Sequence, residues 1–285
     1  MSSQTQTLSA SVILDGLAYV ESPRWHEGRL WFAHWGTDEI IAVDPEGTHE
    51  VVGRGPGGLG WTIDWLPDGR LLTTGSGLNR HESDGSVVPH ADLSQFAGDW
   101  NEVVVDGRGN VYVNGRCEFD FSGGPPQGII ALVTPDGTVR QVADGIAFPN
   151  GMVVTPDNRT LIIAESIATH LTAFDIEPDG SLSNRRSWAD SIGADGICLD
   201  ADGAVWAQSG AMETACVRVR EGGGVLERID LDRSPFACML GGPDGTTLFI
   251  LAAEWRGFEQ IEEAMADRTG QVLIAEAPAP RAGWP

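Results

Sequence analysis

Asp-Gly and Pro-Asp-Gly turn signals recur along most of the chain, and their spacing constrains the fold more than any other feature. They separate short runs rich in Val, Ile, Leu, Trp and Thr, a pattern typical of antiparallel hairpins. The signal occurs in DPEG (44–47), LPDG (66–69), ESDG (82–85), DGRG (106–109), TPDG (134–137), TPDN (155–158), EPDG (177–180), DADG (200–203) and GPDG (242–245). Only GFEQIEEAMADR, near the C-terminus, has a helical pattern, so the sequence predicts a nearly all-β protein.

The hairpins also recur at a longer period. Inner hairpins are predicted to begin near residues 21, 61, 101, 150, 195 and 237, at separations of 40 to 49 residues. This spacing is typical of four-stranded β-propeller blades, and six starts predict six blades. The last blade has only one outer strand (270–277), and the segment 10–16 can supply its missing partner and close the ring.

We therefore expect an all-β, six-bladed β-propeller with four-stranded blades, closed by pairing the N-terminal strand with the last blade. Residues 1–285 would form a single domain, with residues 1–9 as a disordered N-terminal tail. A two-domain α/β protein is the alternative architecture, but the chain lacks helices that would alternate with the strands.

The charge balance argues against several classes of partner. The chain has 18 basic and 41 acidic residues and a formal net charge of −23, which repels nucleic acid and anionic membranes. The four cysteines are far apart and lack zinc-like spacing, and no apolar run is long enough to span a membrane. We expect a soluble, cytoplasmic protein with a small-molecule ligand, and the sequence leaves open whether it is a monomer or a dimer.

A candidate site follows from the repeat. In a propeller the first strand of each blade lines the central channel, so residues at its start point into one mouth of that channel. Around the ring this position is occupied by Glu21, Trp61, Asn101, Asn150, Asp195, and either Ala237 or Cys238. The four oxygen-bearing side chains suit a hard divalent cation such as Ca²⁺ or Mg²⁺ and do not suit structural zinc. Alternatively, they only hydrate a water-filled channel.

Several nearby residues are candidates for substrate contact. The second strand of each hairpin returns to the same mouth, which places His34 near Glu21, although a lone histidine at a strand end is commonly structural. The long Gly- and Pro-rich loop 115–128 contains Arg116 and Phe119. Flat apolar walls could come from Trp35, Trp61, Trp100 and Trp255. For each aromatic residue alone, packing between blades is the alternative role.

Five segments resemble the senescence-marker-protein/gluconolactonase/luciferin-regenerating-enzyme family, which includes regucalcin and bacterial lactonases. They are ESPRW (21–25), NEVVVDGRGNVYV (101–113), FPNGM (148–152), ADGICLDADGAVW (194–206) and FACMLGG (236–242). The resemblance implies a six-bladed propeller with one catalytic divalent metal bound by Glu21, Asn150 and Asp195. It also implies that Asn101 contacts the metal, the substrate or a water.

The chain departs from this family at two positions. Sugar-lactone members have an Arg two residues before the residue that matches Asn101, and this chain has Asp99 there. The exchange removes a forked hydrogen-bond donor and reverses the charge, which puts gluconolactone itself in doubt as the substrate. In addition, Glu102 stands where the family commonly has Asp.

Together these features predict a metal-dependent hydrolase that opens a small lactone. Ca²⁺ is the expected ion, with Mg²⁺, Mn²⁺ or Zn²⁺ as alternatives, and Asp195 is the expected proton acceptor, with Glu21 second. Two other classes of function remain open at the same site. One is different metal-assisted chemistry, such as phosphotriester hydrolysis or rearrangement of a metabolite, and the other is a non-enzymatic propeller that binds a divalent ion or small ligand.

Overall fold

Six sheets form a ring in the computed structural model. The structure describes residues 5–96, 98–116, 127–210 and 213–285, without the side chain of Arg116. From the inner strand outwards, the first three blades consist of β3 (Val20–His26), β4 (Arg29–His34), β5 (Glu39–Val43) and β6 (His49–Arg54); β7 (Ile63–Trp65), β8 (Leu71–Thr73), β9 (Leu78–His81) and β10 (Val87–Ala91); and β11 (Trp100–Val105), β12 (Val111–Arg116), β13 (Gln127–Val133) and β14 (Val139–Ala147).

The other three blades complete the ring in chain order. From the inner strand outwards they consist of β15 (Pro149–Val154), β16 (Thr160–Glu165), β17 (His170–Ile176) and β18 (Leu182–Asp190); β19 (Cys198–Leu199), β20 (Val205–Gln208), β21 (Ala215–Arg220), β22 (Gly224–Asp230) and β1 (Gln6–Leu8); and β23 (Ser234–Gly241), β24 (Thr247–Ala253), β25 (Gly270–Glu276) and β2 (Ser11–Leu17).

Neighbouring blades pack through their inner strands. β3 contacts β7, β7 contacts β11, and the contacts continue through β15, β19 and β23 back to β3. Every residue of β15 and of β23 is buried, as expected for strands covered on both faces by adjacent blades. The predicted six-bladed propeller is confirmed.

The hairpin at Asp106 shows why the turn signals predict the fold so well. The Asp106 carboxylate accepts hydrogen bonds from the backbone N–H groups of Arg108 and Asn110, both at 2.8 Å. Gly109 adopts φ +82°, which a residue without Cβ reaches easily, and its N–H donates to the Asp106 carbonyl at 2.9 Å. The turn is therefore specified by its own residues, independently of the rest of the chain.

The two ends of the chain meet in the last blade. β2 pairs antiparallel with β25, which confirms the predicted ring closure. The predicted disordered tail over residues 1–9 is wrong for β1, because this short strand pairs in parallel with β22 and becomes the fifth strand of its blade. The outer edge of β22 offers unpaired backbone groups, and pairing with β1 satisfies some of them.

The C-terminal tail, residues 277–285, crosses the end of the ring at which the inner strands finish. Trp284 and Val154 exchange two backbone hydrogen bonds, and the Ala282 N–H donates to the Leu199 carbonyl at 3.0 Å. Val154 and Leu199 are the last residues of β15 and β19. The tail therefore covers this end of the channel, and no feature of the sequence had predicted that role.

One α-helix, α1 (Ile261–Ala266), is present in the described part of the chain. It lies in the connection between β24 and β25, within the segment whose pattern was helical. None of the helices in the described ranges has the length and apolar character required to cross a membrane.

Candidate functional site

A cavity of about 680 Å³ lies at the end of the ring where the inner strands begin. Each of the six blades contributes a residue to its wall close to the start of the inner strand, namely Glu21, Thr62, Asn101, Asn150, Asp195 and Phe236. The structure thus brings the four predicted oxygen-bearing side chains to one cavity, of a size usual for small-molecule sites.

Irregular strand pairing at the cavity helps to aim these side chains. The register of β3 against β4 shifts between Glu21 and Arg24, and the register of β15 against β16 shifts between Pro149 and Met152. Similar shifts occur near the starts of β11 and β23. An extra residue in one strand changes the local direction of its side chains. The bulges therefore lie at the positions where the inner strands supply groups to the cavity.

Two aromatic residues beside the cavity have an uncommon backbone conformation. Tyr19 adopts φ 52° and Phe148 adopts φ 58°, and both line the cavity, two residues before Glu21 and Asn150 respectively. A bulky residue with positive φ is unfavourable unless the surrounding structure holds it in place. The two segments are the related stretches DGLAYVES (15–22) and DGIAFPNG (144–151), so one strained turn is built twice.

The ends of the second strands hold these two turns. The Ala18 N–H donates to Nε2 of His34 at 2.8 Å, and the Ala147 N–H donates to Oε2 of Glu165 at 2.7 Å. Nδ1 of His34 lies 2.8 Å from Oγ1 of Thr37. Burial lowers the pKa of His34, which favours the neutral ring that can accept the Ala18 hydrogen bond. The predicted substrate contact for His34 is therefore wrong, because both ring nitrogens are occupied within the protein.

The surroundings of Glu21 strongly perturb its ionisation. Burial raises its pKa well above the ordinary value, and the nearby Asp195 and Glu102 carboxylates raise the pKa further. The Ser22 N–H, which donates to Oε2 of Glu21 at 2.9 Å, opposes that rise. Because like charges close together disfavour each other's ionisation, this cluster is suited to a cationic partner.

Arg24 supplies a fixed cation to this part of the channel. Its Nη2 donates to Oε2 of Glu102 at 3.2 Å and to the Val103 carbonyl at 2.8 Å, and its Nε lies 4.0 Å from Oδ1 of Asp64. Burial raises the pKa of Glu102, and Arg24 opposes this rise. Glu102 also lines the cavity, so one carboxylate faces both the ligand space and the buried arginine.

The chemistry of the four predicted side chains fits a hard cation. Among the described residues, no three side chains of His, Cys, Asp or Glu are arranged to share a metal ion, so a site here requires amide oxygens as well. Nδ2 of Asn101 donates to the Pro149 carbonyl at 3.1 Å, which leaves the amide oxygen of Asn101 as its ligand atom. Carboxylate and amide oxygens are the ligands that Ca²⁺ and Mg²⁺ prefer.

Besides His34, two of the predicted substrate contacts are not part of the observed wall, and two others cannot be located. Trp61 is fully buried and packs against Ile40 between the first two blades, so its predicted contact with substrate is wrong. Asp99 is exposed in the loop before β11, outside the residues that line the cavity. Phe119 and the side chain of Arg116 lie outside the described residues, so their roles stay predictions.

The structure also settles the register of the last blade. The backbone N–H after Asn150 donates to the Asp195 carbonyl at 3.1 Å, and the N–H after Asp195 donates to the Phe236 carbonyl at 2.7 Å. Phe236 therefore occupies the position that had been assigned to Ala237 or Cys238. The difference arises because the pairing of β23 with β24 shifts between Pro235 and Ala237, which the turn spacing did not reveal.

Comparison with known proteins places the chain in a family. The model of the SMP-30/gluconolactonase/LRE-like region matches residues 19–254. The chain belongs to this SMP-30/gluconolactonase/LRE-like family. The pentonolactonase XacC of Haloferax volcanii is 29% identical over 245 residues, which cover 82% of this chain and 81% of that protein. Regucalcin of Xenopus laevis is 25% identical over 261 residues, which cover 82% of each chain.

Solved structures support the same fold. The structure of a luciferin-regenerating enzyme matches with a TM-score of 0.80 over 96% of this chain and 97% of that chain. The sequence identity in this match is 16%, so the similarity concerns the architecture of the SMP-30/gluconolactonase/LRE-like propeller alone.

Much of the cavity wall of this family member was missed from the sequence. Trp35 and Trp255 line the cavity, as suggested, whereas Trp100 is buried between the second and third blades, which is the alternative role of packing between blades. The apolar wall residues that had not been predicted to contact substrate are Tyr19, Leu59, Phe148, Ile167, Phe236 and Phe258. For Tyr19 and Phe148 a signal existed, because both occupy the aromatic position of the repeated DG-aliphatic-Ala-aromatic frame. The others lie in connections or in the misassigned blade and carry no repeat signal.

Proposed function

We propose that this protein is a divalent-metal-dependent hydrolase that opens a small lactone in the cavity at the channel mouth. The observation that carries the proposal is the convergence of Glu21, Asn101, Asn150 and Asp195, from four blades, on one cavity. A relative named as a pentonolactonase, aligned over most of both chains, supports a lactone as the substrate class.

Glu21, Asn150 and Asp195 would hold the ion, and Asn101 would contact the ion, the substrate or a water. Ca²⁺ fits this oxygen set, with Mg²⁺, Mn²⁺ or Zn²⁺ as alternatives. When bound, the ion supplies Lewis-acid polarisation of the lactone carbonyl and lowers the pKa of a nearby water. The carboxylates of Glu21 and Asp195 would be relieved of part of their mutual repulsion.

The protein itself supplies the proton transfers. The Asp195 carboxylate accepts a proton from a water while the water oxygen bonds to the carbonyl carbon of the lactone. The bond between this carbon and the ring oxygen then breaks, and the proton passes to the ring oxygen as it becomes a hydroxyl group. The product is the open-chain hydroxy acid, and Glu21 is the second candidate for the proton acceptor.

Activity of the chelated protein against a panel of lactones tests the proposal, after separate addition of Ca²⁺, Mg²⁺, Mn²⁺ and Zn²⁺. We expect hydrolysis with at least one ion and loss of hydrolysis on renewed chelation. Asp195→Asn should lower kcat by more than about a hundredfold, because a positioned general base contributes that much or more. The exposed Asp190→Asn variant is the control and should retain full activity.

The metal affinity of the same variants separates an enzyme from a binding protein. Asp195→Asn should weaken metal binding, measured by calorimetry, by a smaller factor than it lowers kcat. Retained activity of Asp195→Asn on every lactone would overturn the catalytic assignment. Metal binding without hydrolysis of any lactone would instead favour other metal-assisted chemistry or a non-enzymatic ion-binding propeller.

A further inference from the structure

Three exposed apolar side chains lie together at the cavity. In the part of the chain that the structure describes, seven large apolar side chains are exposed, and Leu59, Ile167 and Phe258 all line this one cavity. They come from three separate segments, namely the connection between the first two blades, the turn between β16 and β17, and the connection between β24 and β25. Exposed apolar groups that gather at a concave site indicate a ligand with an apolar surface.

An aromatic wall continues from these residues into the cavity. The ring centroids of Tyr19 and Phe236 are 5.2 Å apart, those of Phe236 and Trp255 are 6.0 Å apart, and those of Trp255 and Phe258 are 5.0 Å apart. The wall therefore runs without interruption from the strained turn beside Glu21 to the exposed Phe258. Such a surface offers area and shape to an apolar group but few polar partners.

Several polar side chains in the cavity wall donate hydrogen bonds back into the protein. Five of them donate to backbone carbonyls: Tyr19 to Glu254, Trp35 to Trp61, Thr62 to Asn101, Ser166 to Ala194 and Gln208 to Glu213. The N–H or O–H groups that make these bonds are not free to donate to the hydroxyl oxygens of a ligand. A buried hydroxyl without a partner weakens binding severalfold or more.

We propose that the substrate is a lactone whose ring carries an apolar substituent, aryl or branched alkyl, in preference to a polyhydroxylated sugar lactone. The ring-opening step rests on the function proposed above, whereas the apolar recognition rests on the wall itself. The carboxylates and amides receive the polar ester, and the wall from Tyr19 to Phe258 covers the substituent.

A matched pair of substrates tests the preference. We compare kcat/KM for phenyl-substituted δ-valerolactone and for glucono-δ-lactone, which share the six-membered ring, with the same metal ion. The phenyl-substituted lactone should be preferred by at least about tenfold, because burial of an aryl group is worth more than one factor of ten. An equal or higher kcat/KM for glucono-δ-lactone would overturn the proposal.

Variants of the exposed wall residues locate the effect. Phe258→Ser and Ile167→Ser should each lower kcat/KM for the phenyl-substituted lactone about five- to tenfold and leave unsubstituted δ-valerolactone within about twofold. Folding should be unaffected, because these side chains are 57% and 40% exposed. Val51→Ser is the matched control, since Val51 is 51% exposed on the outer strand β6, away from the cavity. Equal losses for both substrates, or an equal loss in the control, would contradict the proposal.

Binding of amide analogues keeps this inference separate from the proposed reaction. Phenyl-substituted δ-valerolactam and gluconolactam resist hydrolysis, and their affinities can be measured by calorimetry. If no lactone is hydrolysed but the phenyl lactam binds more tightly, and Phe258→Ser removes the difference, the proposed reaction fails and the apolar recognition stands. Tighter binding of gluconolactam would overturn the apolar recognition whether or not hydrolysis occurs.

Discussion

Glu21 and Asp200 are both buried carboxylates, 4% and 1% exposed, at opposite ends of the ring. The Asp200 carboxylate accepts from Nε of Arg218 at 2.5 Å and from the backbone N–H groups of Asp202 and Ala204 at 2.9 and 3.0 Å. Around Glu21, by contrast, burial and two further carboxylates raise its pKa, and the Ser22 N–H and the Arg24 cation oppose only part of that rise. The buried Asp200 carboxylate is thus paired with a cation and backbone donors, whereas the buried Glu21 carboxylate has too few favourable partners to offset its burial and the neighbouring negative charges.

Other features of the two ends follow the same division. The end near Asp200 has self-contained turns and a tail that covers the channel with backbone hydrogen bonds. The cavity end has left-handed Tyr19 and Phe148, bulged strands and exposed apolar side chains. Features that break local folding rules lower the stability of the free protein. Proteins therefore tend to keep them where function requires them. The difference agrees with the proposal that the cavity end binds the ligand.

The largest expected effect comes from breaking the paired carboxylate. Arg218→Met leaves Asp200 buried without its cation and should lower the free energy of unfolding by about 3–5 kcal/mol. Glu21→Gln removes a repelled charge and should leave the stability of the chelated protein unchanged or slightly higher. Urea unfolding in the presence of a chelator measures both variants.

A second arginine of the same sheet provides the control for this comparison. Arg228 is half-exposed and pairs with Asp230 and Glu213 on the surface, so Arg228→Met should lower stability by less than about 1 kcal/mol. If Glu21→Gln lowered the free energy of unfolding as much as Arg218→Met does, the buried carboxylates at the two ends would contribute to stability in the same way.

The raised pKa of Asp64 allows the cost of a buried carboxylate to be tested through the pH dependence of stability. Burial raises the pKa of Asp64 to about 6 from an ordinary value of 3.8, although Arg24 lowers it in part. The stabilisation from a raised pKa is fully present below the unfolded-state value and is lost as the pH rises through the folded-state value. The stability of Asp64→Asn relative to the wild type should therefore increase by up to roughly 3 kcal/mol between pH 4 and pH 7.

Urea unfolding of both proteins at a series of pH values, with chelator present, measures this difference. Asp68→Asn is the control, because Asp68 is exposed and Arg70 lowers its pKa, so the relative stability of this variant should show no such rise. A pH-independent difference between Asp64→Asn and the wild type would mean that the pKa of Asp64 is the same in the folded and unfolded protein.

The parts of the fold that were predictable from sequence are those specified locally or by the repeat. The Asp106 turn is formed by its own residues, and Glu21 and Asn150 occupy the same position of two similar segments. The position of His34 was also predictable, but its role was not, because the Ala18 N–H that it accepts is a backbone group with no signature in the sequence.

The unpredicted parts depend on contacts between segments far apart in the chain. Phe236 was misassigned because a bulge in β23 moved the register without any change in turn residues. Leu59 and Phe258 lie in connections between strands, where apolar residues have neither a repeat nor a period. Trp61 has the right repeat position, but its indole is covered by packing between blades. Only the folded structure shows that it packs between blades and does not line the cavity.

The smallest expected effect concerns the C-terminal tail. Deletion of residues 278–285 removes five backbone hydrogen bonds to the last three blades, including the pair between Trp284 and Val154. Each contributes about 1 kcal/mol net, but the freed segment regains conformational entropy, so the protein should lose only about 2 kcal/mol of stability. Deletion of residues 1–9, which removes the three-residue β1 from an outer edge, is the comparison and should have a smaller effect.

Neither deletion should change kcat/KM by more than about twofold, since the tail lies at the ends of inner strands whose starts form the cavity. A large loss of kcat/KM in the tail deletion without loss of stability would show that the inner strands couple the covered end to the site.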